Sequence, residues 1–400
     1  MKIIADENIP FVKNAFERLG VITTISGRQI TRQILLDADV LLVRSITKVD
    51  KQLLNGTSVK FVATATIGTE HVDLDYLNSH GIGFSDAAGS NANSVAEYVM
   101  TALLHFANQN GIQLEGKVLG VVGVGNIGSK VVRMAEGLGM TVLQNDPPLA
   151  RLTAEPRFMP LDDLMDADFI TLHVPLTRKG QDVTFHLFDA GRISKMKPGS
   201  ILINSSRGSV VDNIALIHLL KSGHLSTAIL DVWENEPDIN IELLKLVYLG
   251  TPHIAGYSLD GKINGTRMIY EATCRYFNIY PDLDFTQLMP APQVAMIQCQ
   301  SSRENDESIL HRVVQQVYPI ARDARSLKKI IHVQKDDRDS YFDKLRKEYP
   351  IRREFHNTKI QFQDRSDKLK HKITALGFQI NERKTEVNRP RNRKGYALGR

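Results

Sequence analysis

Three side chains near the middle of this 400-residue chain have the types needed to move a proton at a hydroxyl that sits beside a carboxylate: Arg207, Glu236 and His253. A guanidinium offers a carboxylate two parallel donors and polarises a carbonyl as it forms. An imidazole exchanges a proton near neutral pH, and a carboxylate paired with it fixes the ring's orientation. Taken singly, each has a plainer reading: a surface ion pair for Arg207, a helix-start carboxylate before Pro237 for Glu236, and a satisfied loop residue for His253. Their common placement favours chemistry. NSSRG from Asn204 follows the apolar run Ser200 to Ser205, DVWENEP from Asp231 follows Ala228 to Val232, and TPHIAGYS lies farther on from Thr251. In an open parallel sheet, ligands sit beyond the carboxyl ends of the strands.

The elements that must position these residues are announced upstream. From Leu119 to Asp146 the chain reads as strand, tight turn, helix and strand, with the turn Gly123-Val124-Gly125-Asn126-Ile127-Gly128. Gly123 is expected to turn the chain off the strand, Gly125 to admit a pyrophosphate to the backbone, and Gly128 to let the helix pack closely. The helix N-terminus would then face the phosphates. Asp146 stands 18 residues beyond Gly128 at the end of the second strand, where a carboxylate accepts from a ribose diol and repels a 2′-phosphate. Strand, turn, helix and acid together point to a dinucleotide site that takes NAD in preference to NADP.

Composition bounds the rest. Four hundred residues suggest two or three domains, and 42% hydrophobic with 24% charged residues is ordinary for a globular protein. No segment approaches the ~18 uncharged apolar residues of a membrane span. The opening MKIIADENIP is broken at once by Asp6 and Glu7 and reads as a first strand rather than a signal peptide. Cys274 and Cys299 are the only cysteines, and neither sits in a metal-ligand pattern, so a reducing cytoplasm and no structural metal are expected. The net charge of +5 is local: Arg383 to Arg400 holds seven basic residues and one acid, a balance of +6, which leaves the remainder at −1. That favours a solvated, disordered tail over an RNA- or membrane-binding arm.

Residues 1 to 85 alternate short buried strands (Lys2 to Ala5, Val21 to Ile25, Val40 to Val43, Lys60 to Ala65, Ile82 to Ser85) with amphipathic segments. A long helix is expected from about Ser90 to Asn110, with Asn93 or Ser94 as an alternative cap, and a second from Asp260 to about Tyr280. Both would cross between two lobes and leave a hinged cleft. After Pro281 a strand (Val294 to Cys299), helices (Asn305 to Val317 and Asp336 to Tyr349) and a strand, helix and strand ending at Ile380 read as a small third domain, expected to pack against a second subunit. The fold class is α/β: two doubly wound parallel-sheet lobes, one flavodoxin-like and one Rossmann, plus a small C-terminal α+β domain.

These motifs carry a resemblance. NSSRGSVVD, DVWENEP and TPHIAGYS are similar, in order, to the signatures of the D-isomer-specific 2-hydroxyacid dehydrogenases. The resemblance implies Arg207 for substrate binding and polarisation, Glu236 as the histidine's partner, and His253 as proton donor in ketone reduction. It implies a discontinuous substrate lobe (1–92 and 257–285), an NAD-binding Rossmann domain (93–256), a dimerisation domain (286–381) and a basic tail (382–400). ADENIP, VRSITKV, ATIGTEHVDLDYL, NDPP and LRKEYPIRREF resemble, more narrowly, those members that act on a phosphorylated sugar acid and form homodimers. By that resemblance Ser45, Thr66 and Tyr257 contact substrate, while Asp146, Asp231 and Gly256 contact NAD. Glu70 stands where aspartate is usual and Val174 where some members carry threonine; neither is expected to touch the triad. Arg44 and Lys48, or Arg346, Arg352 or Arg353 reaching a partner subunit's cleft, are the candidates for holding a phosphate. A sibling dehydrogenase of the phosphoglycerate or hydroxypyruvate type, and an NAD-sensing binding protein of the same fold, are the competing readings.

Overall fold

Runs such as VLLV, FVAT, FITL, ILIN and TAIL are buried at every position, as strands covered on both faces by helices must be. They form the middles of two parallel sheets in a computed structural model that describes residues 1–300, 305–363 and 366–381. The first sheet contains β1 (Lys2–Asp6), β2 (Val21–Ile25), β3 (Val40–Val43), β4 (Phe61–Thr64) and β5 (Gly83–Ser85) in the order β2-β1-β3-β4-β5. The second contains β6 (Val118–Val122), β7 (Thr141–Asn145), β8 (Phe169–Leu172), β9 (Ile201–Asn204), β10 (Thr227–Leu230) and β11 (Leu249–Gly250), ordered β11-β10-β9-β8-β6-β7. A parallel bridge from Gln144 to Phe158 extends its β7 edge by one residue pair. Both orders reverse direction beside their first strand, and such a switch point opens a crevice at the strand ends.

Two 18-residue helices link the sheets: α1 (Ala92–Gln109) and, after the helix α2 (Gly128–Gly137) that follows the glycine turn, α3 (Leu259–Tyr276). Their starts cross closely, since a side chain on Gly261 would meet the Asn91 Cα at 3.0 Å. The alternative cap of α1 is corrected, while the start near Ser90 lies within two residues of the observed one. Asn91 is the N-cap and makes no side-chain capping bond. Asn93 and Ser94 lie inside the helix and bond outward, Asn93 Nδ2 to Glu97 and Glu354, and Ser94 Oγ to the Ala255 carbonyl. Polar residues that resemble caps are spent on the helix crossing instead.

The remaining sheet, β12 (Met296–Cys299), β13 (Lys359–Phe362) and β14 (Gln379–Ile380), is parallel and accompanied by α4 (Asp306–Val317), α5 (Ile320–Lys328), α6 (Arg338–Lys347) and α7 (Asp367–Ala375). Helix α5 is absent from the sequence reading, although Ile320 and Leu327 mark its buried face. Ile309, Leu310, Val313 and Val314 of α4 share one hydrophobic cluster with α1 and β6. That face of α4 is thus covered by this chain's own nucleotide lobe. Residues 350–357 reach back to the helix crossing and bring charge with them. Arg352 binds the fully buried Glu97 at 3.1 Å, and Arg353 binds Asp260 at 3.0 Å. Among the described residues no helix is long and apolar enough to cross a membrane and no His, Cys, Asp or Glu cluster suits a metal ion. The basic tail lies outside the described residues.

Candidate active site

The glycine turn leaves β6 through Gly123, whose φ of +87° favours glycine. A side chain there would also strike the His173 carbonyl. Gly128 starts α2 so near the turn that a Cβ would lie 1.9 Å from the Gly123 oxygen. Nothing lies within 4 Å of the position a Gly125 Cβ would take, and Asn126 beside it is exposed, so the turn presents open backbone with Ile127 at the helix start. This is the shape a pyrophosphate needs. Asp146 follows β7. Its carboxylate accepts from Val124 N at 2.8 Å and Leu149 N at 3.0 Å, which ties the second strand's end to the turn. A carboxylate has about four lone-pair directions, so each oxygen can still accept from a ribose hydroxyl. His173 and Val174 wall the other side, and burial pushes the His173 pKa down to about 3, so the ring is neutral.

At the end of β9, Asn204 is the clamp that aims Arg207. Its Oδ1 accepts from the Ser206 amide and hydroxyl, and its Nδ2 donates to the Arg207 carbonyl at 2.9 Å. The arginine's Nη1 donates to Ser206 O, and Nη2 lies 3.5 Å from Glu70. The expectation for Glu70 is therefore corrected: the loop after β4 crosses toward β9, and the carboxylate touches the proposed substrate-binding cation. Gly208 packs so tightly on the Trp233 carbonyl that a Cβ would sit 1.9 Å away, so the Arg207 loop rests on the loop carrying Glu236.

Glu236 and His253 meet directly. Glu236 Oε1 accepts from Trp233 N at 2.8 Å, and Oε2 is 2.7 Å from His253 Nδ1. That contact assigns the Nδ1 proton to the bond with glutamate and leaves Nε2 as the exchanging atom. Burial works to raise the Glu236 carboxyl, but the charge and hydrogen bond of His253, the Trp233 amide and the charge of Arg346 outweigh it and hold the group below the usual glutamate range. His253 sits at φ +55°, a costly conformation for a non-glycine residue. Asp231 over-determines it, because its carboxylate, 1% exposed as a residue, accepts from Ile254 N, Ala255 N and the Thr251 hydroxyl, and its carbonyl accepts from His253 N. Burial raises the Asp231 pKa against those donors and the charge of His253. Gly256 continues the loop against Asn91, where a Cβ would lie 2.0 Å from Nδ2.

The other expected contacts differ in setting. Ser45 is exposed after β3. Thr66 is half-buried, its hydroxyl 2.7 Å from Thr64 Oγ1 and donating to Gly68 O in the loop that carries Glu70. Tyr257 packs edge-on to Tyr349, 5.9 Å between ring centroids, with Lys262 Nζ 4.4 Å from its own ring centre. Of the phosphate candidates, Lys48 is exposed and pairs with Asp50 at 2.9 Å. Arg352 and Arg353 are locked in the helix crossing and are withdrawn. Arg346 faces Tyr257 and Glu236 of its own chain, which corrects the expectation of a partner's cleft. Lys262, five residues after Tyr257, escaped the sequence reading because only the packing of α3 brings its amine to that ring.

Residues 92–255 match the family described as D-isomer specific 2-hydroxyacid dehydrogenase, NAD binding domain, and residues 288–377 match a domain family of unknown function. The erythronate-4-phosphate dehydrogenase of Marinobacter nauticus is 42% identical over 383 residues, covering 95% of this chain and 100% of that protein. Its counterpart from Escherichia coli O17:K52:H18 is 45% identical over 379 residues, covering 94% and 98%. Among solved structures, D-lactate dehydrogenase from Aquifex aeolicus with NAD and lactic acid has a TM-score of 0.57 at 27% identity, covering 70% of this chain and 96% of that one. NAD-dependent formate dehydrogenase from Staphylococcus aureus with NAD gives 0.56 at 26%, covering 71% and 98%. Fold, cofactor turn and relatives define an NAD-dependent 2-hydroxyacid dehydrogenase. Within that class, the chain belongs to the erythronate-4-phosphate dehydrogenase family.

Proposed function

We propose that this enzyme oxidises 4-phospho-D-erythronate at C2 to 2-oxo-3-hydroxy-4-phosphobutanoate, a step of vitamin B6 biosynthesis. The observation that carries the reading is the 2.7 Å pair of Glu236 and His253, held at the strand ends beside the NAD turn with Arg207 on the adjoining loop. NAD, when bound, supplies the hydride acceptor. Arg207 binds the substrate carboxylate and polarises the C2 oxygen as it becomes a carbonyl. His253 Nε2 takes the hydroxyl proton, and Glu236 holds the ring and stabilises the positive charge that forms on it. Ser45, Thr66 and Tyr257 line the polyol; Gly123, Gly125, Asn126, Ile127, Gly128, Asp146, Asp231 and Gly256 hold the cofactor. The C-terminal domain serves homodimerisation, a role supported by resemblance alone.

The test follows NADH at 340 nm with 4-phosphoerythronate, 3-phosphoglycerate and D-lactate, with a trap for the 2-oxo acid. Preference for 4-phosphoerythronate, abolished in His253→Ala, is the expected result. Preference for 3-phosphoglycerate would reassign the substrate, and NAD binding without turnover of any of the three would favour a sensing role.

A further inference from the structure

The loop that carries Glu70 to Arg207 also begins a chain of hydrogen bonds whose direction is fixed by counting protons. Thr66 stands two residues past the carboxyl end of β4, and its hydroxyl donates to the Gly68 carbonyl at 3.1 Å. A hydroxyl has one proton and two lone pairs, and a carbonyl only accepts. The proton between Thr66 Oγ1 and Thr64 Oγ1, 2.7 Å apart, therefore belongs to Thr64. Thr64 is fully buried and has no proton left for its second partner, His71 Nε2 at 3.1 Å, so that nitrogen is the donor. Backbone holds the histidine in place: Val49 N donates to its carbonyl at 2.8 Å, and Val49 pairs with Val72 in a parallel bridge. Burial lowers the His71 pKa against the charge of Glu70, so at pH 8 the ring is neutral and its one proton sits on Nε2. The Thr66 oxygen is left with one lone pair and no proton. It lies beside the cleft, because Gly68, whose carbonyl it holds, faces Arg207: a Cβ there would lie 2.9 Å from Nη2.

We propose that His71 and Thr64 are positioning residues that make Thr66 an acceptor-only reader of the substrate's C3 hydroxyl. This rests on the 4-phosphoerythronate reading above and deepens it. A freely rotating threonine hydroxyl serves donors and acceptors alike, so Thr66 by itself would discriminate little. With its proton committed to Gly68 and one lone pair to Thr64, it has nothing to offer a carboxylate or an ionised phosphate oxygen, which only accept. The relay thus turns Thr66 away from both anionic ends of the substrate. The C2 hydroxyl gives its proton to His253, which leaves the C3 hydroxyl as the donor that Thr66 receives. A molecule lacking that hydroxyl leaves the lone pair unmet, and a site built to bond a hydroxyl rejects such an analogue.

The test has two arms, each on the full-length, NAD-saturated protein. In the first, NADH formation is compared for 4-phosphoerythronate and its 3-deoxy analogue, D-2-hydroxy-4-phosphobutanoate. The ratio of the two kcat/KM values is taken within each preparation, so loss of folded protein cancels. Thr64→Val and His71→Leu should lower that ratio roughly 2- to 12-fold, the size of one neutral hydrogen bond, mainly through KM for 4-phosphoerythronate. Thr64→Ser and His71→Gln restore a hydroxyl and an N–H donor and should keep the ratio within twofold of wild type. A merely structural role would lower both rates alike. In the second arm, 15N-histidine NMR of the wild type at pH 8, with the His71→Gln spectrum to assign the signal, should show the Nε2–H tautomer whatever the substrate. A ratio unchanged in Thr64→Val and His71→Leu, a ratio that falls equally in the two restoring variants, or a His71 proton on Nδ1 overturns the proposal. If neither compound is turned over while His71 carries its proton on Nε2, the polarity of Thr66 stands and the substrate assignment alone fails.

Discussion

Glu236→Gln is the sharpest perturbation of the proposed mechanism, because it removes the charge and one of two accepted hydrogen bonds without changing the side chain's shape. The amide keeps the side chain's size, and its oxygen can still accept either from Trp233 N or from His253 Nδ1, the two bonds now 2.8 and 2.7 Å long. What is lost is one of those two bonds and the negative charge beside the imidazole as it becomes positive. Hydrogen bonds to a charged group contribute about 1.5–3 kcal/mol, so kcat/KM for oxidation should fall roughly 10- to 150-fold. Glu236→Ala should fall further, since the ring also loses its orientation and the Trp233 amide its acceptor. The assay is the initial rate of NADH formation at substrate well below KM, beside a thermal melt by circular dichroism. The wild-type pH profile supplies a second check. With its carboxyl held below the usual range, Glu236 is ionised throughout pH 6 to 9, and its contribution to stability is present above the unfolded value and lost as pH falls through the folded one. A Glu236→Gln enzyme within threefold of wild type, equally folded, would refute the role given to this pair.

Three further outcomes follow from the structure. Glu70→Gln frees Arg207 from a long, exposed ion pair; such pairs contribute about 0.2–1 kcal/mol, so KM should drop roughly 1.4- to 5-fold with little change in stability, and a rise in KM would show that Glu70 helps to aim the arginine. Asp146→Ala should narrow the preference for NAD over NADP, measured as the ratio of kcat/KM values, and, because Asp146 also caps the helix Pro147–Thr153, should cost about 1 kcal/mol in denaturant unfolding. His105 and His311, 3.1 Å apart between α1 and α4, both have pKa values lowered by burial, His311 to about 4. The stability of their neutral pairing is full above the unfolded histidine value and is lost as pH falls from about 6.5 toward 4. Melts at pH 7.5 and 5 should therefore differ less in a His105→Phe/His311→Leu double variant than in the wild type.

What the sequence determined by itself is whatever depends on neighbours along the chain. Short, wholly apolar runs become central parallel strands because both faces must be dry, and Val40–Val43 carries the limits read from sequence. The turn from Gly123 to Gly128 is legible because its geometry is set within six residues. Charges on the third domain were illegible for the opposite reason. Arg346, Arg352 and Arg353 are alike in a basic stretch, yet one faces the cleft and two are sealed, according to acids at Glu97 and Asp260 that lie 255 and 93 residues away. The same holds for Glu70, 137 residues from the Arg207 it touches, and for Asn93 and Ser94, whose cap-like types serve the helix crossing. Only the tertiary structure decides such pairings, because a charge takes the nearest available partner in space, and a buried one left unpaired costs more than its local sequence can repay.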